Sequence, residues 1–577
     1  MTHVPYRLIF LTLLAGSPAA EARSPERVTF PVSITWDVGP GNNVYLVGSH
    51  PDVGSWNPVN AHKLRWTAGN NWTGQVAVQA GTALEYKFIS RNGASNQFCN
   101  GANVGWEGGA NRTTNLPAAA SAPFTGKTIF YYSSWTSATL VTASSNAYPF
   151  TRVGPGRTGG EYLHRVDGVP EEGEPLEFTI SGSLGGVSGW DKPPPGDGWG
   201  MDGNYYTTLD VFLLQDGQLY TYWPSNTVSA PSSETRVVGS SYATITGRTI
   251  RIYLPRGYTN HPWKRYPVIY MQDGQNMADP ANPGGSGSWQ FDATAARETR
   301  QGRMRETIVV GIDNIPHYRR TEYNPTGDTY PGEVSGLAWD YLRFLVDNVR
   351  PTLDTHYRTL NDPRNTLVGG SSMGGIFSLY AGFETNVFGG VLAMSPAVTR
   401  APNYKAALPG KPKRPLRVYL DTGTDEGKVP FDSPYPGGYY WDDPWSAFDS
   451  AMIIGYAPGD NLMMRIGCGH VHNEAAWRAR LPDAVRFLLN VRDEPNLLAL
   501  ETFPPRLAAV SPNGPAGITT QQNFSYQLQV STGHLSDAAW SNDGPAILET
   551  KPWNVLNPTS TIAPEAGFWR VRSMPAP

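Results

Sequence analysis

Gly370-Ser371-Ser372-Met373-Gly374 is the stretch of this chain whose residue types and spacing could do covalent chemistry. A serine with glycine two residues away on each side fits a sharp strand-to-helix turn that holds its hydroxyl exposed at a strand end. The glycines matter because the backbone there is strained and a Cβ would clash. A chain with 62 glycines also produces this spacing by chance, so the surroundings must decide. A nucleophilic serine needs a base, and the base needs an orienting acid. Downstream, Asp421, Asp425 and Glu426 follow the apolar run at 416–420, and His470 and His472 follow the run at 461–466. Residues of these types in that order would support acyl transfer through a serine ester.

The elements needed to position them are legible. Strands are expected at 249–254, 267–271, 307–312, 365–368, 390–393, 416–420 and 461–466, and several of these are near-continuous apolar runs, as expected when both faces are covered. Helical segments are expected at 291–301, 336–353, 376–383 and 474–489; Leu342, Leu345, Val346 and Val349 give the second an apolar stripe at helical spacing. Such alternation predicts a doubly wound, mostly parallel α/β sheet over residues 241–497. Ser372 falls directly after a strand and before a helix. The carboxylates lie past a strand's C-terminal end, and the order serine, acid, histidine is that of α/β-hydrolases.

At 577 residues the chain is too long for one ordinary domain and suggests about three or four. Charged residues make up 16%, below the usual ~25%, while Trp and Tyr number 18 and 29. A net charge of −4 with no basic run argues against nucleic-acid binding. Residues 1–22 carry the marks of a secretory signal: His3 and Arg7, a short apolar core at 8–15, and Ala20-Glu21-Ala22 as a cleavage site. No run reaches the ~18 apolar residues of a membrane span, so a secreted or periplasmic protein is expected. Cys99 and Cys468 fall in segments assigned to different domains, which weighs against a disulfide between them, and two cysteines cannot build a Cys-based metal site.

Residues 27–120 read as short alternating strands with turns at β-sandwich spacing. Val28-Thr29-Phe30, Val44-Tyr45-Leu46-Val47-Gly48-Ser49, Val53-Gly54-Ser55-Trp56-Asn57-Pro58, Glu85-Tyr86-Lys87-Phe88-Ile89, Trp106-Glu107 and Asn111-Arg112 occur in sequence. Together they resemble the starch-binding domain of carbohydrate-binding module family 20. The resemblance implies that Trp56 and Trp106 stack on sugar rings, with Lys87 and Asn111 as polar partners for the hydroxyls. Trp72, between polar neighbours on a strand, is expected in the core, and Trp66 is a weak candidate for a second glucan site. Residues 121–240, rich in Ser, Thr, Gly and Pro with a few β-like runs, are expected to be linker and a small β extension. Residues 498–577 are a tail or a small β module.

The catalytic region carries a second resemblance. Gly247-Arg248-Thr249, Tyr270-Met271-Gln272-Asp273-Gly274-Gln275-Asn276, Val310-Gly311-Ile312-Asp313-Asn314, Arg320-Thr321-Glu322-Tyr323, the Ser372 turn, Ser395-Pro396 and His472-Asn473-Glu474-Ala475-Ala476-Trp477 are similar to the esterase D family. That family includes feruloyl and acetyl xylan esterases, enterochelin esterases and mycolyltransferases. The resemblance implies Ser372 as nucleophile and His472 as base, ahead of His470. It implies Glu426 as acid, with Asp425 as the alternative. The backbone N–H groups of Met373 and Gln275 would form the oxyanion hole. No metal or cofactor is called for. The aromatic run at 431–445 is expected either to overhang the site or to cover apolar surface. The reading is a secreted serine carboxylesterase for carbohydrate-linked acetyl or feruloyl-type esters, targeted to starch or a related α-glucan. The alternatives are an acyltransferase onto sugar hydroxyls, a starch-binding protein with a non-catalytic hydrolase fold and, weakest, a glycoside hydrolase.

Overall fold

The computed structural model describes residues 27–92, 99, 104–118, 126–170, 176–193, 203–225, 227–262, 264–278, 287–329, 335–427, 441–494, 496 and 498, and beyond these the backbone of strands within 507–575. The expected signal at 1–22 lies outside the described residues. Among them, no helix is long and apolar enough to cross a membrane.

The Ser372 turn sits in an eight-stranded sheet. Its strands are β1 (Ser232–Val238), β2 (Arg248–Leu254), β3 (Val268–Gln272), β4 (Ile308–Ile312), β5 (Thr366–Ser371), β6 (Gly390–Met394), β7 (Arg417–Gly423) and β8 (Leu462–Gly467), in the order β1-β2-β4-β3-β5-β6-β7-β8. The β1–β2 and β2–β4 pairings are antiparallel, and every later pairing is parallel. β3, β4, β5 and β6 are buried along their whole lengths. That is why they read as unbroken apolar runs rather than alternating ones. Four helices matter for the site: α1 (Phe291–Arg300), α2 (Met373–Glu384), α3 (Asp442–Ile454) and α4 (Glu474–Leu488). The single helix expected at 336–353 is instead Ala338–Phe344, a π-helical turn Leu345–Val349, and Arg350–His356. Pro351 opens the last piece; lacking an N–H, it cannot close a regular helical hydrogen bond, and the ladder re-registers there.

The region expected to be linker and a small extension is a two-sheet sandwich. Strands Ser137–Thr142, Leu176–Leu184, Val187–Asp191, Ala147–Pro149 and Tyr205–Thr207 form one sheet. Lys127–Ser133, Tyr162–Val169, Thr151–Pro155, Val211–Gln215 and Gln218–Tyr220 form the other. Ile129, Leu140, Phe178, Ile180, Phe212 and Leu214 fill the space between them. Its loops are rich in Gly and Pro, so average composition hid a core of short strands. The last stretch of that region, β1, already belongs to the α/β sheet. Past residue 498, Ala516–Thr519 pairs with Leu507–Ala509 and Trp553–Leu556. Phe524–Ser531 pairs with Ser541–Asn542, Ile547–Leu548 and Phe568–Pro575.

The front domain has a three-stranded sheet (Arg27–Thr35, Asn71–Gln79, Arg65–Thr67) against a five-stranded one built on Asn42–Gly48 and Ala83–Asn92. Val44, Leu46, Trp72, Val76, Val78 and Phe88 form its core, so Trp72 is a core residue as expected. This domain is docked on the α/β domain. The Lys63 ammonium donates to both Asp449 carboxylate oxygens (2.7 and 2.6 Å). Arg27 donates to the Gly459 carbonyl (2.6 Å), and the Ala77 N–H to that of Pro458 (3.2 Å). Tyr45, Val47 and Ile89 bury against Trp441, with Trp445 and Ile466 beside them. Cys99 and Cys468 are disulfide-bonded with Cα atoms 5.8 Å apart, contrary to the expectation from their separate domains. Docking brings together what 369 residues of sequence separate. Trp441 and Trp445 therefore cover apolar surface at this junction; Tyr435, Tyr439 and Tyr440 lie outside the described residues.

A loop after β2 buries His261 to 1% exposure. Its Nε2 accepts the Ser225 N–H (3.1 Å). Burial, with Lys264 and Arg358 nearby, pushes the imidazole down to about 3 from 6.5. Below pH 6.5 the unfolded chain then takes up a proton that the folded chain refuses until about pH 3. Stability contributed by His261 is complete above pH 6.5 and falls on acidification, by about 2 kcal/mol between pH 6.5 and 5. Urea unfolding of a His261→Gln variant should show a pH slope flatter by that amount over this range.

Candidate active site

Ser372 lies between the end of β5 and the start of α2 with φ 55 and ψ −117. A positive φ is costly for a residue with a Cβ, and here the fold enforces it. A Cβ on Gly370 would come within 2.8 Å of the Gly374 backbone. Strand and helix can pack that tightly only if the residue is glycine. The hydroxyl is thereby presented at the C-terminal edge of the sheet, beside the ends of β6, β7 and β8.

The Ser372 hydroxyl donates to His472 Nε2 (3.0 Å), and His472 Nδ1 donates to Glu426 Oε2 (2.8 Å). Glu426 is 6% exposed. Its other oxygen accepts from the Ser395 hydroxyl (2.5 Å), the Gly423 N–H (2.7 Å) and Arg480 (3.1 Å). Burial alone would raise this carboxyl. Hydrogen bonds and charge from His472, then Arg480 and Ser395, outweigh it and hold Glu426 below the usual carboxylate range. Asp425 is exposed and its carboxylate accepts from Thr424. His470 is engaged elsewhere: its carbonyl accepts the Asp425 N–H (3.0 Å), and its ring accepts from Arg480 (3.3 Å).

The motif around His472 has a physical reading. Asn473 caps α4 by accepting the Ala476 N–H (2.9 Å). Glu474 accepts from Asn276 (3.2 Å), tying the helix start to the 274–276 turn. The Trp477 ring meets that of His472 edge-on at 5.0 Å, and its Nε1 donates to Ser395 Oγ (2.9 Å).

Met373 opens α2, so its N–H has no partner within that helix. Gln275 lies in the short turn Gly274–Asn276 just past the end of β3, the strand that pairs with β5. That turn is pressed onto β4: a Cβ on Gly274 would approach the Gly311 carbonyl carbon to 2.3 Å. Asp273, before it, receives two hydrogen bonds from Arg319 (2.7 and 2.8 Å) and one from Asn314 (2.5 Å). The Gln275 side chain accepts the Asn314 N–H (3.1 Å). These contacts fix where the backbone amides of the turn point.

Sequence reasoning overlooked Arg480 and Arg319, gave Ser395 and Asp273 no role beyond belonging to esterase-like stretches, and named Asp421 only as one of three carboxylates after a strand. Arg480 is 4% exposed and bridges two buried carboxylates, Asp421 and Glu426, at 3.1 Å each. Its signal was present: with Trp477, Leu481 and Ala484 it occupies the buried stripe of α4, where a charge needs a partner. Replacing Arg480 by methionine should destabilise the domain by about 3–5 kcal/mol, because two carboxylates lose their counter-charge in the interior. Denaturant unfolding monitored by tryptophan fluorescence measures this.

In the front domain the Trp56 and Trp106 rings are neighbours, centroids 6.5 Å apart and inclined at 41°. Trp106 is 45% exposed. Lys87 donates to the carbonyls of Glu107 (3.2 Å) and Gly109 (2.8 Å). Asn111 donates to Glu85 (3.1 Å). Lys87 thus holds the turn at 107–111, which Trp106 precedes and Asn111 ends, and Trp56 lies beside Trp106. Trp66, 53% exposed, lies on the other sheet, opposite Trp72.

Two family matches agree with this division. Residues 25–124 match the family described as Starch binding domain, and residues 241–488 match that described as Putative esterase. The chain joins a segment that matches the starch-binding family to a segment that matches the esterase family. Over the front domain it is similar to an alpha-amylase from Streptomyces violaceus, 39% identical over 79 residues, covering 14% of this chain and 13% of that protein. The chain spans only about a tenth of the length of the first curated relatives it matches. Among solved structures it is similar to a ferulic acid esterase from Anaeromyces mucronatus (19% identical, 48% of this chain and 99% of that one, TM-score 0.33). It is also similar to an enterochelin esterase from Shigella flexneri (14% identical, 81% and 93%, TM-score 0.35).

Proposed function

We propose that this protein is a secreted or periplasmic serine carboxylesterase that hydrolyses acetyl- or feruloyl-type esters on carbohydrate and is held to starch or a related α-glucan by its front domain. The observation that carries this reading is the Ser372–His472–Glu426 hydrogen-bond chain on a strained strand-to-helix turn, inside the segment that matches the esterase family.

In the first half-reaction His472 Nε2 takes the Ser372 proton as Oγ attacks the ester carbonyl. Buried Glu426, an ionised acceptor on Nδ1, stabilises the imidazolium that forms. The N–H groups of Met373 and Gln275 donate to the oxyanion of the tetrahedral intermediate. One such donor is worth about 3 kcal/mol. His472 then protonates the departing alcohol, leaving an acyl-serine. Water, deprotonated by the same histidine, releases the carboxylic acid and restores Ser372. Trp56 and Trp106 stack on glucose rings, with Lys87 and Asn111 as polar partners.

A panel of acetyl, feruloyl and longer acyl esters, assayed with and without starch, tests the reading. Ester cleavage together with retention on starch granules is the expected result. Starch digestion without ester cleavage would contradict it, and transfer of the acyl group to added maltooligosaccharide would replace hydrolysis by acyl transfer.

A further inference from the structure

The starch-binding domain is not carried on a free tether. It is clamped to the esterase domain along the edge strand that leads to the catalytic histidine. β8 contributes Ile466 to the apolar junction, continues to Cys468 in the interdomain disulfide, and reaches His472 four residues later. On the other side of the disulfide, Cys99 precedes the strand Val104–Trp106. Trp106 pairs with Ile89, which is itself buried against Trp441 of the esterase domain. Trp56, the second platform ring, packs on the same cluster. The Lys63–Asp449 ion pair closes the clamp. Even with both connecting segments fully extended, these links cap the distance from Trp106 to His472 at about 45 Å.

A flexible tether would only raise the concentration of enzyme near a granule. A docked platform fixes where a bound glucan chain runs relative to Ser372, so binding there can orient the reacting ester. We infer that the platform is a distal part of the esterase's own substrate site, and that the ester is carried on the very α-1,4-glucan chain the platform holds. The substrate class is O-acylated α-glucan, rather than an unrelated ester that happens to lie near starch. This deepens the proposed esterase reading and rests on it.

The test uses soluble acetylated maltodextrins of graded length, which remove any effect of a granule surface. Values of kcat/KM are measured for the full chain and for an undocked variant, Cys99→Ser with Cys468→Ser and Asp449→Lys. p-Nitrophenyl acetate serves as the short-substrate control, and amylose binding as the check that the front domain is folded. For the native protein, kcat/KM should rise at least tenfold once the dextrin is long enough to span both sites. Free maltoheptaose should inhibit the long substrates and not p-nitrophenyl acetate. The undocked variant should lose the rise while keeping amylose binding and p-nitrophenyl acetate hydrolysis within about twofold. A rate on acetylated dextrins independent of length, or a length effect that survives undocking, overturns the inference while leaving the esterase reading intact. Absence of p-nitrophenyl acetate hydrolysis overturns both.

Discussion

Replacing Ser372 by alanine is expected to lower kcat for p-nitrophenyl acetate by roughly 10⁶-fold, the loss seen when a serine nucleophile is removed from an intact relay. The backbone should tolerate the change. The strained φ at this position is imposed by the close approach of β5 and α2, and alanine fits the same space. Binding to amylose should be unchanged, because Trp56 and Trp106 belong to the other domain. Steady-state kinetics together with an amylose pull-down measure both. A variant that kept within tenfold of the native rate would remove Ser372 from the mechanism.

The second large effect concerns the acid. Glu426→Gln should reduce kcat by about 10⁴-fold, since a neutral amide neither stabilises the imidazolium nor holds the tautomer that leaves Nε2 free to accept the serine proton. Asp425→Asn should change kcat by less than about threefold, because its exposed side chain faces Thr424 rather than His472. The two carboxylates are adjacent in sequence, yet only Glu426 points into the interior, where Ser395, Arg480 and the Gly423 amide receive it. Measuring both variants side by side decides the acid by comparison rather than by one loss of activity.

That contrast shows what the residues alone can and cannot tell. The runs that became β3 to β6 were legible because strands covered on both faces leave long apolar stretches, and Ser372 was legible because glycine is demanded around its turn. Glu426 and Asp425 were not separable in that way: which of two neighbouring side chains turns inward depends on where β7 ends and how the loop folds back under His470. Arg480 went unnoticed because a charged residue on a helix is ordinarily solvated; its place in the apolar stripe of α4 signalled burial, but the partners that make burial possible, Asp421 and Glu426, come from another element. The middle sandwich was hidden by loops rich in Gly and Pro. The disulfide was hidden by domain docking, a long-range event with no local signal; Lys63 and Asp449 are 386 positions apart. Chemistry built on one turn could be read locally, whereas the contacts that fix its partners could not.

The most direct measurement is to react the native protein with a fluorophosphonate ester, which phosphonylates an activated serine, and to map the modified peptide by mass spectrometry. A single stoichiometric adduct on Ser372, formed with loss of esterase activity, is expected, and no adduct in a His472→Ala variant. Stoichiometric modification of another serine accompanying inactivation, or full retention of activity in a protein labelled at Ser372, would contradict the assignment of Ser372 as the nucleophile.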